Sequence, residues 1–261
     1  MPRLAIFTAR DYTWSIEAWT KTIPELKKHY EVAGLYVFPD QLGRKKSMDI
    51  PFWYLRTFGI GNFLILGMYS LKVRIRQIFS GIWSFKGLAQ AYGVEYHSGR
   101  TPNAPEVAQW LRVRNVDVVF ITVGQVLKEE IINAPKIGII NKHAAVLPSC
   151  KGLFPFFWAH INGAPTGVTF HQVEEKIDTG RILVQKEYPR DQSMLRFYAQ
   201  VFDDFPALAA LAVDRLIRGE YQKPRADISP SYYGLPTRED VKGSSVKIAQ
   251  WSDLFYAVRG N

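Results

Sequence analysis

Short apolar runs alternate with amphipathic stretches along much of the chain. Uniformly apolar runs are typical of buried strands, and apolar residues three or four positions apart are typical of helices with one buried face. Strands are predicted at residues 4–8, 30–38, 93–96, 116–122 and 137–141, and helices at 15–28, 52–79, 83–92 and 105–115. Because strands that alternate with helices form parallel sheets covered on both faces, the pattern predicts an α/β fold with a mostly parallel sheet.

The pattern changes after residue 165. Two more strands are predicted at residues 166–173 and 182–187, and a long helix at 194–218 follows them. Pro206 should bend or split this helix, because proline lacks the N–H group that the helix needs. The last residues, 219–261, are rich in turns and in aromatic side chains.

These elements predict one Rossmann-like core with a short appendage. We divide the chain into a core domain at residues 1–190 and a C-terminal extension at residues 191–261. A chain of 261 residues fits one full-sized domain with such an appendage.

Charge is concentrated in the first part of the chain. The net charge is +9, and residues 1–100 hold 14 basic and 7 acidic residues. Such a surplus attracts a nucleic acid, an acidic membrane or a phosphorylated small molecule, and it is also typical of an ordinary solvated surface. Residues 72–79 pair basic with apolar side chains. Peripheral membrane contact is one interpretation of this segment, and a helix packed on the core is the one we favour.

Several classes of protein are excluded by the composition. A single cysteine cannot form a disulfide framework or a cysteine-rich metal site, so we predict no metal. The longest uncharged run, residues 57–71, is shorter than the roughly 20 residues of a membrane-spanning helix. The chain begins directly on a strand, which indicates a cytoplasmic protein without a signal peptide. Residues 8–12 lack the glycine patterns of dinucleotide and phosphate loops.

Three polar residues form a candidate catalytic group. Asn141 and His143 end a predicted strand, and because they are two positions apart their side chains point the same way. Asp178 lies in the loop between the two later strands. A histidine can accept a proton from an attacking amine, an asparagine amide can stabilise an oxyanion, and an aspartate can orient the histidine. Together they suit acyl transfer to an amine, although a structural turn would use the same residue types.

The surrounding motifs resemble those of the formyltransferase family that uses 10-formyltetrahydrofolate. That family has an Asn-x-His, a Leu-Pro-x-x-x-Gly loop, an Asn-Gly, a Thr-Gly-Val-Thr and an Asp-(Thr/Ala)-Gly in this order. The corresponding segments here are residues 141–143, 147–152, 162–163, 166–169 and 178–180. Ala145 and Val146 depart from the family's Ser-Leu pair, and the connection between residues 162 and 167 is tight.

The resemblance implies a role for each of these residues. Asn141, His143 and Asp178 take the family's catalytic positions, and 10-formyltetrahydrofolate is the implied formyl donor. The segments that line the family's pterin pocket correspond to Gly124, Gln125, Val126, Leu127, Lys176 and Ile177. Cys150 lies beside the site, and its thiol has no role in this chemistry.

The segments outside the motifs resemble the nucleotide-sugar N-formyltransferase branch. Residues 231–241 are similar to a Ser-Tyr-x-x-Pro-Thr-x-Glu-Asp element of that branch, and the insert 52–83 resembles GDP-perosamine N-formyltransferases of O-antigen and lipopolysaccharide biosynthesis. A dTDP-linked amino sugar is an alternative acceptor. Methionyl-tRNA is a further alternative, but residues 201–261 are neutral overall, so we expect no nucleic-acid partner. A non-catalytic binding or membrane-associated protein is the remaining alternative. The branch also implies a homodimer formed through C-terminal elements.

The acceptor pocket is predicted at the ends of the first strands. Arg10, Asp11, Tyr12 and Trp14 are the candidates there, with Tyr12 or Trp14 available to stack on a base or sugar. A diphosphate bridge could bind to basic residues of the following helix, namely Lys72, Arg74 and Arg76.

Overall fold

A mixed sheet with helices on both sides forms the core of the computed structural model, which describes residues 1–256. The strands are β1 (Arg3–Ala9), β2 (Glu31–Phe38), β3 (Gln41–Leu42), β4 (Lys45–Lys46), β5 (Glu95–Ser98), β6 (Val118–Thr122), β7 (Gly138–His143), β8 (Lys151–Gly152), β9 (Gly167–Gln172), β10 (Ile182–Glu187) and β11 (Tyr232–Tyr233). The helices are α1 (Ser15–Lys27), α2 (Asp49–Phe79), α3 (Phe85–Ala91), α4 (Pro105–Val113), α5 (Glu129–Ile132), α6 (Pro155–Ile161), α7 (Met194–Arg218), α8 (Arg238–Lys242) and a 3₁₀ helix at Trp251–Phe255.

Seven strands make up the main sheet, in the order β10-β9-β7-β6-β1-β2-β5. The five strands from β7 to β5 are parallel, whereas β9 pairs antiparallel with both β7 and β10. Two small sheets accompany it, the β3–β4 hairpin and the parallel pair of β8 with β11. The predicted α/β fold with a mostly parallel sheet is confirmed.

Each face of the sheet has its own apolar core. Trp19 of α1 and Phe205 of α7 pack with Phe120 and Phe170 on one face. On the other face, α4 and α5 bury Leu111 and Ile131 against alternate residues of the same strands. Each strand is therefore apolar on both sides, which explains why the parallel strands read as continuous apolar runs.

The helix α7 differs from its prediction. It runs unbroken through Pro206, so the predicted split is wrong. Phe205 and Ala209 are fully buried on either side of the proline, and their packing keeps the helix together despite the missing hydrogen bond. Because α7 belongs to the same core as α1, the predicted boundary at residue 190 does not coincide with a gap in the packing. Residues 257–261 of the predicted extension lie outside the described residues.

The helix α2 is bent at one position. Gly59 has a φ of 79° and a ψ of 168°, a conformation that side chains with a Cβ rarely adopt. It separates residues 49–58, where Trp53 and Phe58 pack on Phe154, from a longer straight segment at residues 60–79. In the described part of the chain, no helix is long and apolar enough to cross a membrane.

Candidate active site

A large cavity lies where β1, β6 and β7 end. Ala9, Thr122 and His143, the last residues of these strands, all line it. The carboxyl ends of parallel strands are where open α/β sheets bind ligands. The predicted catalytic residues Asn141, His143 and Asp178 line this cavity together.

Successive side chains of β7 point to opposite faces of the sheet. Asn141 and His143 point to the same side as Ile139, which belongs to the core beneath α4 and α5. Lys142 points to the opposite side, toward α7. In the antiparallel partner β9, His171 lies directly opposite Asn141 and therefore shares its side of the sheet. We call the side that carries Asn141, His143 and His171 the catalytic side, and the other the lysine side.

Asp178 is held between two histidines. Its Oδ2 lies 3.4 Å from Nδ1 of His143 and its Oδ1 lies 3.4 Å from Nε2 of His171, while the backbone N–H of Gly152 donates a 2.8 Å hydrogen bond to Oδ2. Burial alone would raise the pKa of Asp178, but the contacts with His171, His143 and Gly152 outweigh it and lower this pKa to about 2. The carboxylate is therefore ionised at neutral pH. Its φ of 51° places Asp178 in the left-handed region, which aspartate tolerates better than most residues.

His143 is buried and its two ring nitrogens have different neighbours. Nε2 lies 2.8 Å from the carbonyl oxygen of Cys150, which can only accept, so Nε2 carries a hydrogen. Nδ1 faces Asp178 and keeps the lone pair when the ring is neutral. Burial lowers the pKa of His143, and the negative charge of Asp178 opposes this shift only in part. The ring is therefore neutral at pH 7 and able to accept a proton at Nδ1.

His171 is a member of the site that the sequence reasoning missed. Its Nδ1 lies 2.9 Å from the carbonyl oxygen of Gln172, and its Nε2 lies 3.3 Å from Nδ2 of Asn141 as well as close to Asp178. It thereby links the other three polar residues. The alternation of β9 could have placed His171 on the catalytic side, but the pairing of β9 with β7 was not visible in the sequence.

The predicted cofactor residues border the catalytic side. Gly124, Gln125, Val126, Leu127, Lys176 and Ile177 all line the cavity. Leu127 is buried, whereas Val126 and Ile177 expose their apolar side chains. An added Cβ at Gly124 would come within 1.8 Å of the carbonyl oxygen of Gln41, so the β3–β4 hairpin crosses this segment where only glycine fits.

The four candidate acceptor residues separate into two pairs. Asp11 and Trp14 line the cavity, but Arg10 and Tyr12 do not. Tyr12 instead lies beneath the guanidinium of Arg74, because the turn that follows β1 points successive side chains in different directions. Asp11 accepts hydrogen bonds from the backbone N–H groups of Thr13 and Trp14, and burial, followed by the charge of Asp40, raises the pKa of Asp11 to about 6.

Lys142 occupies the lysine side of the cavity, and no motif singled it out. Its ammonium lies 4.3 Å from the ring centre of Phe202 and 5.9 Å from that of Tyr198. Burial lowers the pKa of Lys142 to about 8, and the charge of Asp11 limits this shift. Asp11 and Lys142 are thus two half-buried, opposite charges that act on each other without a direct hydrogen bond.

The basic residues that were predicted to bind a diphosphate lie elsewhere. Lys72 donates to the carbonyl oxygen of Leu254, Arg74 to that of Trp83, and Arg76 pairs with Glu17. None of the three lines the cavity. The structure contradicts this prediction: the residues of α2 that line the cavity are Tyr54 and Leu66, and the three basic residues come later in the helix, where they bind other groups.

The fold and the site place the protein among α/β proteins with the fold of the formyltransferases. Glycinamide ribonucleotide transformylase 1 from Symbiobacterium toebii has a TM-score of 0.57 and 17% identity, covering 84% of this chain and 89% of that one. A sugar N-formyltransferase from Shewanella sp FDAARGOS_354 has a TM-score of 0.55 and 17% identity, covering 96% of this chain and 85% of that one. These solved structures share the fold.

The sequence comparisons are more specific about the family. Residues 82–194 match the family model described as formyl transferase, and this segment contains all three predicted catalytic residues. The methionyl-tRNA formyltransferase of Synechococcus sp. (strain JA-3-3Ab) is 35% identical over 161 residues, 59% of this chain and 50% of that protein. The chain spans about half the length of the curated relatives it matches. The resemblance to the formyl transferase family is confirmed over the matched segment.

Proposed function

We propose that this protein transfers a formyl group from 10-formyltetrahydrofolate to the amino group of a nucleotide-linked 4-amino-4,6-dideoxy sugar. The observation that carries the proposal is the contact of His143 and His171 with Asp178, beside Asn141, in one cavity. All four residues lie within the segment that matches the formyl transferase family. A binding protein would not need this arrangement.

The donor would occupy the catalytic side of the cavity. Its chemical contribution is an activated formyl group. Leu127, Val126 and Ile177 contribute apolar side chains to the cavity lining, which suit contact with a pterin ring, and backbone groups are available there for hydrogen bonds. A solved N-formyltransferase with this fold, from Helicobacter canadensis, is in complex with folinic acid and dTDP-3-aminofucose, and it has a TM-score of 0.55 and 18% identity over 89% of this chain.

Each polar residue of the catalytic side has a separate role in the proposed reaction. His143 is neutral and accepts a proton from the attacking amine at Nδ1, which faces Asp178. The ionised carboxylate of Asp178 then stabilises the imidazolium, which can give the proton to the donor nitrogen as the bond from that nitrogen to the formyl carbon breaks and tetrahydrofolate leaves. Asn141 donates its amide N–H to the oxygen on which negative charge develops, and His171 keeps that amide in place.

Two observations support a sugar rather than a tRNA acceptor. The fold shared with the Shewanella sugar N-formyltransferase extends over 96% of this chain, so it includes most of the C-terminal part. The tail also reaches the site. Ser231 accepts a hydrogen bond from the backbone N–H of Cys150 at 2.9 Å, and β11 pairs with β8, so this element supports the loop that holds His143.

The finer assignment to GDP-perosamine is part of the proposal. The insert 52–83 is the sequence feature that favours it over a dTDP-linked sugar. Methionyl-tRNA is the second candidate acceptor, because curated relatives with that activity match residues around the site. A homodimer remains the proposed assembly.

Formyl transfer assays with a panel of acceptors test the proposal. The panel contains GDP- and dTDP-linked 4-amino-4,6-dideoxyhexoses, initiator methionyl-tRNA and glycinamide ribonucleotide, with 10-formyltetrahydrofolate as donor. We expect turnover with one sugar nucleotide. Turnover with tRNA alone would replace the sugar acceptor by the second candidate, and binding of folate without turnover of any acceptor would indicate a non-catalytic protein.

A further inference from the structure

The second segment of α2 carries a continuous row of exposed apolar side chains, which we call the apolar stripe. Its members are 46–62% exposed: Ile60, Leu64, Met68, Leu71, Ile75 and Ile78. They are spaced three or four residues apart, so they lie along one side of the helix. With a rise of 1.5 Å per residue the stripe is about 27 Å long.

The opposite side of this segment is fixed to the core. Ile65, Tyr69 and Val73 are buried and pack with Leu195. Tyr69 also packs on the ring of Trp14. The segment is therefore a helix packed on the core through the side that carries Ile65, Tyr69 and Val73. These contacts keep the apolar stripe facing outward.

Other exposed apolar groups extend the stripe. At its end, Phe79 is 87% and Trp83 55% exposed. Beside it lies the 3₁₀ helix, since Lys72 donates to the carbonyl oxygen of Leu254 at 2.6 Å, and here Trp251 and Phe255 are also exposed. An exposed apolar surface of this extent marks an interaction site.

The charged residues that α2 itself carries beside the stripe are all positive. From residue 50 to residue 94 the chain contains no aspartate or glutamate, but it has five basic residues: Arg56, Lys72, Arg74, Arg76 and Lys86. At 100° per residue, Lys72 and Arg76 flank the stripe on one side and Arg74 flanks it on the other. Acidic groups of neighbouring elements also face this segment: Glu17 of α1 pairs with Arg76, Asp203 of α7 acts on Arg76 through its charge, and Asp253 of the 3₁₀ helix acts on Tyr69.

We propose that the apolar stripe binds the surface of an anionic lipid bilayer, with this segment of α2 lying in the plane of the membrane. Apolar side chains on the outer side with basic residues on both flanks are the pattern of interfacial helices. Tryptophan prefers the interface between lipid and water, and Trp83 and Trp251 lie at the borders of this surface. The inference goes beyond the proposed function and does not depend on the reaction.

A second copy of the chain fits this surface less well. Pairing two stripes would bring together two segments that each carry five basic and no acidic residues. Like charges at close range oppose such a dimer, whereas the same charges attract anionic lipid. Charge complementarity therefore selects the membrane as the partner.

Vesicle co-sedimentation tests the proposal with the full chain. The vesicles contain phosphatidylcholine alone or phosphatidylcholine with about 30% phosphatidylglycerol, a fraction chosen to give the surface negative charge. We expect binding to the anionic vesicles and at least about tenfold weaker binding to the neutral ones. Replacement of Leu64 and Leu71 by glutamate should abolish binding, because both side chains would otherwise enter the lipid. The matched control replaces the exposed Val113 and Ile161, which lie on other helices, by glutamate.

A second pair of variants measures the contribution of the basic residues to vesicle binding separately from that of the apolar side chains. Lys72→Gln with Arg74→Gln should weaken binding to anionic vesicles about tenfold or more, since each basic residue near an anionic surface contributes about fivefold. Lys223→Gln with Lys136→Gln removes the same charge elsewhere and should leave binding unchanged.

Three outcomes would overturn the proposal. The first is failure of the wild-type chain to bind anionic vesicles at low ionic strength. The second is binding that persists in the Leu64→Glu/Leu71→Glu variant, provided that circular dichroism shows it folded. The third is a wild-type dimer in analytical ultracentrifugation that this variant converts to monomers without any vesicle binding, which would assign the stripe to a second copy.

Discussion

The catalytic side and the lysine side of the cavity hold their polar groups in different ways. On the catalytic side, His143 and His171 both contact Asp178, and backbone groups of Cys150 and Gly152 contact His143 and Asp178. On the lysine side, Lys142 lies over the ring of Phe202 and its nearest opposite charge, Asp11, acts on it without a direct hydrogen bond. One side is a connected polar network, and the other is an aromatic wall with two separate charges.

This difference suggests a division of labour. A connected network fixes the orientation of each group, which acid–base chemistry requires. An aromatic wall with separated charges suits recognition of an acceptor, because its polar groups can still bind to hydroxyl or amino groups of a ligand. Substitutions on the catalytic side should therefore lower kcat, and those on the lysine side should raise the KM for the acceptor.

The largest effect is expected at His143. His143→Ala removes the proton acceptor and should lower kcat by about 1,000-fold, measured at a temperature where circular dichroism shows the variant folded. In the wild type, kcat/KM should rise with pH through a midpoint below 6.5, because burial lowers the pKa of His143. Steady-state kinetics with the best acceptor of the panel measure the kcat of the variant and the pH dependence of kcat/KM in the wild type. Turnover close to that of the wild type would contradict the assignment of the catalytic side.

The second-largest fall in kcat is expected for Asp178→Asn. The amide retains the shape of the carboxyl group but cannot stabilise the imidazolium, so we expect kcat to fall about 100-fold. The KM for the acceptor should change less than threefold, a small part of the expected change in kcat. Asp191→Asn, an exposed aspartate outside the site, is the matched control. A variant in which KM rises and kcat is retained would place Asp178 in binding rather than in catalysis.

Most of the fold could be predicted from the sequence for a physical reason, and the candidate trio was predicted from its resemblance to the formyltransferase motifs. A buried parallel strand must be apolar on both sides, so β6 and β7 are visible as apolar runs. Asn141 and His143 are neighbours in one strand, and their common direction follows from the pleat. The role of His171 could not be predicted in this way, because it depends on the pairing of two strands.

The lysine side was harder to predict because distant segments form it. Lys142 lies between two candidate catalytic residues in the sequence, and its environment comes from Tyr198 and Phe202 of α7. Arg74 and Arg76 were assigned to a diphosphate from their charge alone. Their actual partners, Tyr12 and Glu17, belong to the segment that follows β1 and to α1, and the charge pattern of α2 alone does not indicate these contacts.

A more moderate effect is expected on the free energy of unfolding at low pH, to which Asp178 contributes. The pKa of this group is about 2 in the folded chain, against an ordinary value of 3.8, so the ionised form stabilises the fold. This stabilisation is fully present above about pH 4 and is lost as the pH falls toward 2, and it amounts to about 2 kcal/mol. Urea unfolding between pH 5 and pH 2 should show this loss in the wild type and a smaller one in Asp178→Asn. Equal losses in both chains would contradict the contacts of Asp178 with the histidines.

The smallest effect is expected at Lys142. Lys142→Met keeps the apolar stem over Phe202 but removes the charge, so the KM for the acceptor should rise about tenfold. The kcat and the KM for 10-formyltetrahydrofolate should stay within about twofold, since the donor would bind on the other side of the sheet. Lys223→Met, at an exposed position, is the matched control and should resemble the wild type.

The pH dependence of this variant sharpens the comparison of the two sides. Burial lowers the pKa of Lys142 to about 8, so the wild type loses this positive charge as the pH rises through 8. The KM of the wild type should therefore approach that of Lys142→Met above pH 9, whereas the two should differ about tenfold at pH 7. Titration of the acceptor amine affects both enzymes equally, so it cancels in the ratio of their two KM values. A ratio that does not change with pH would mean that Lys142 supports the aromatic wall by packing alone, and the lysine side would then select the acceptor by shape rather than by charge.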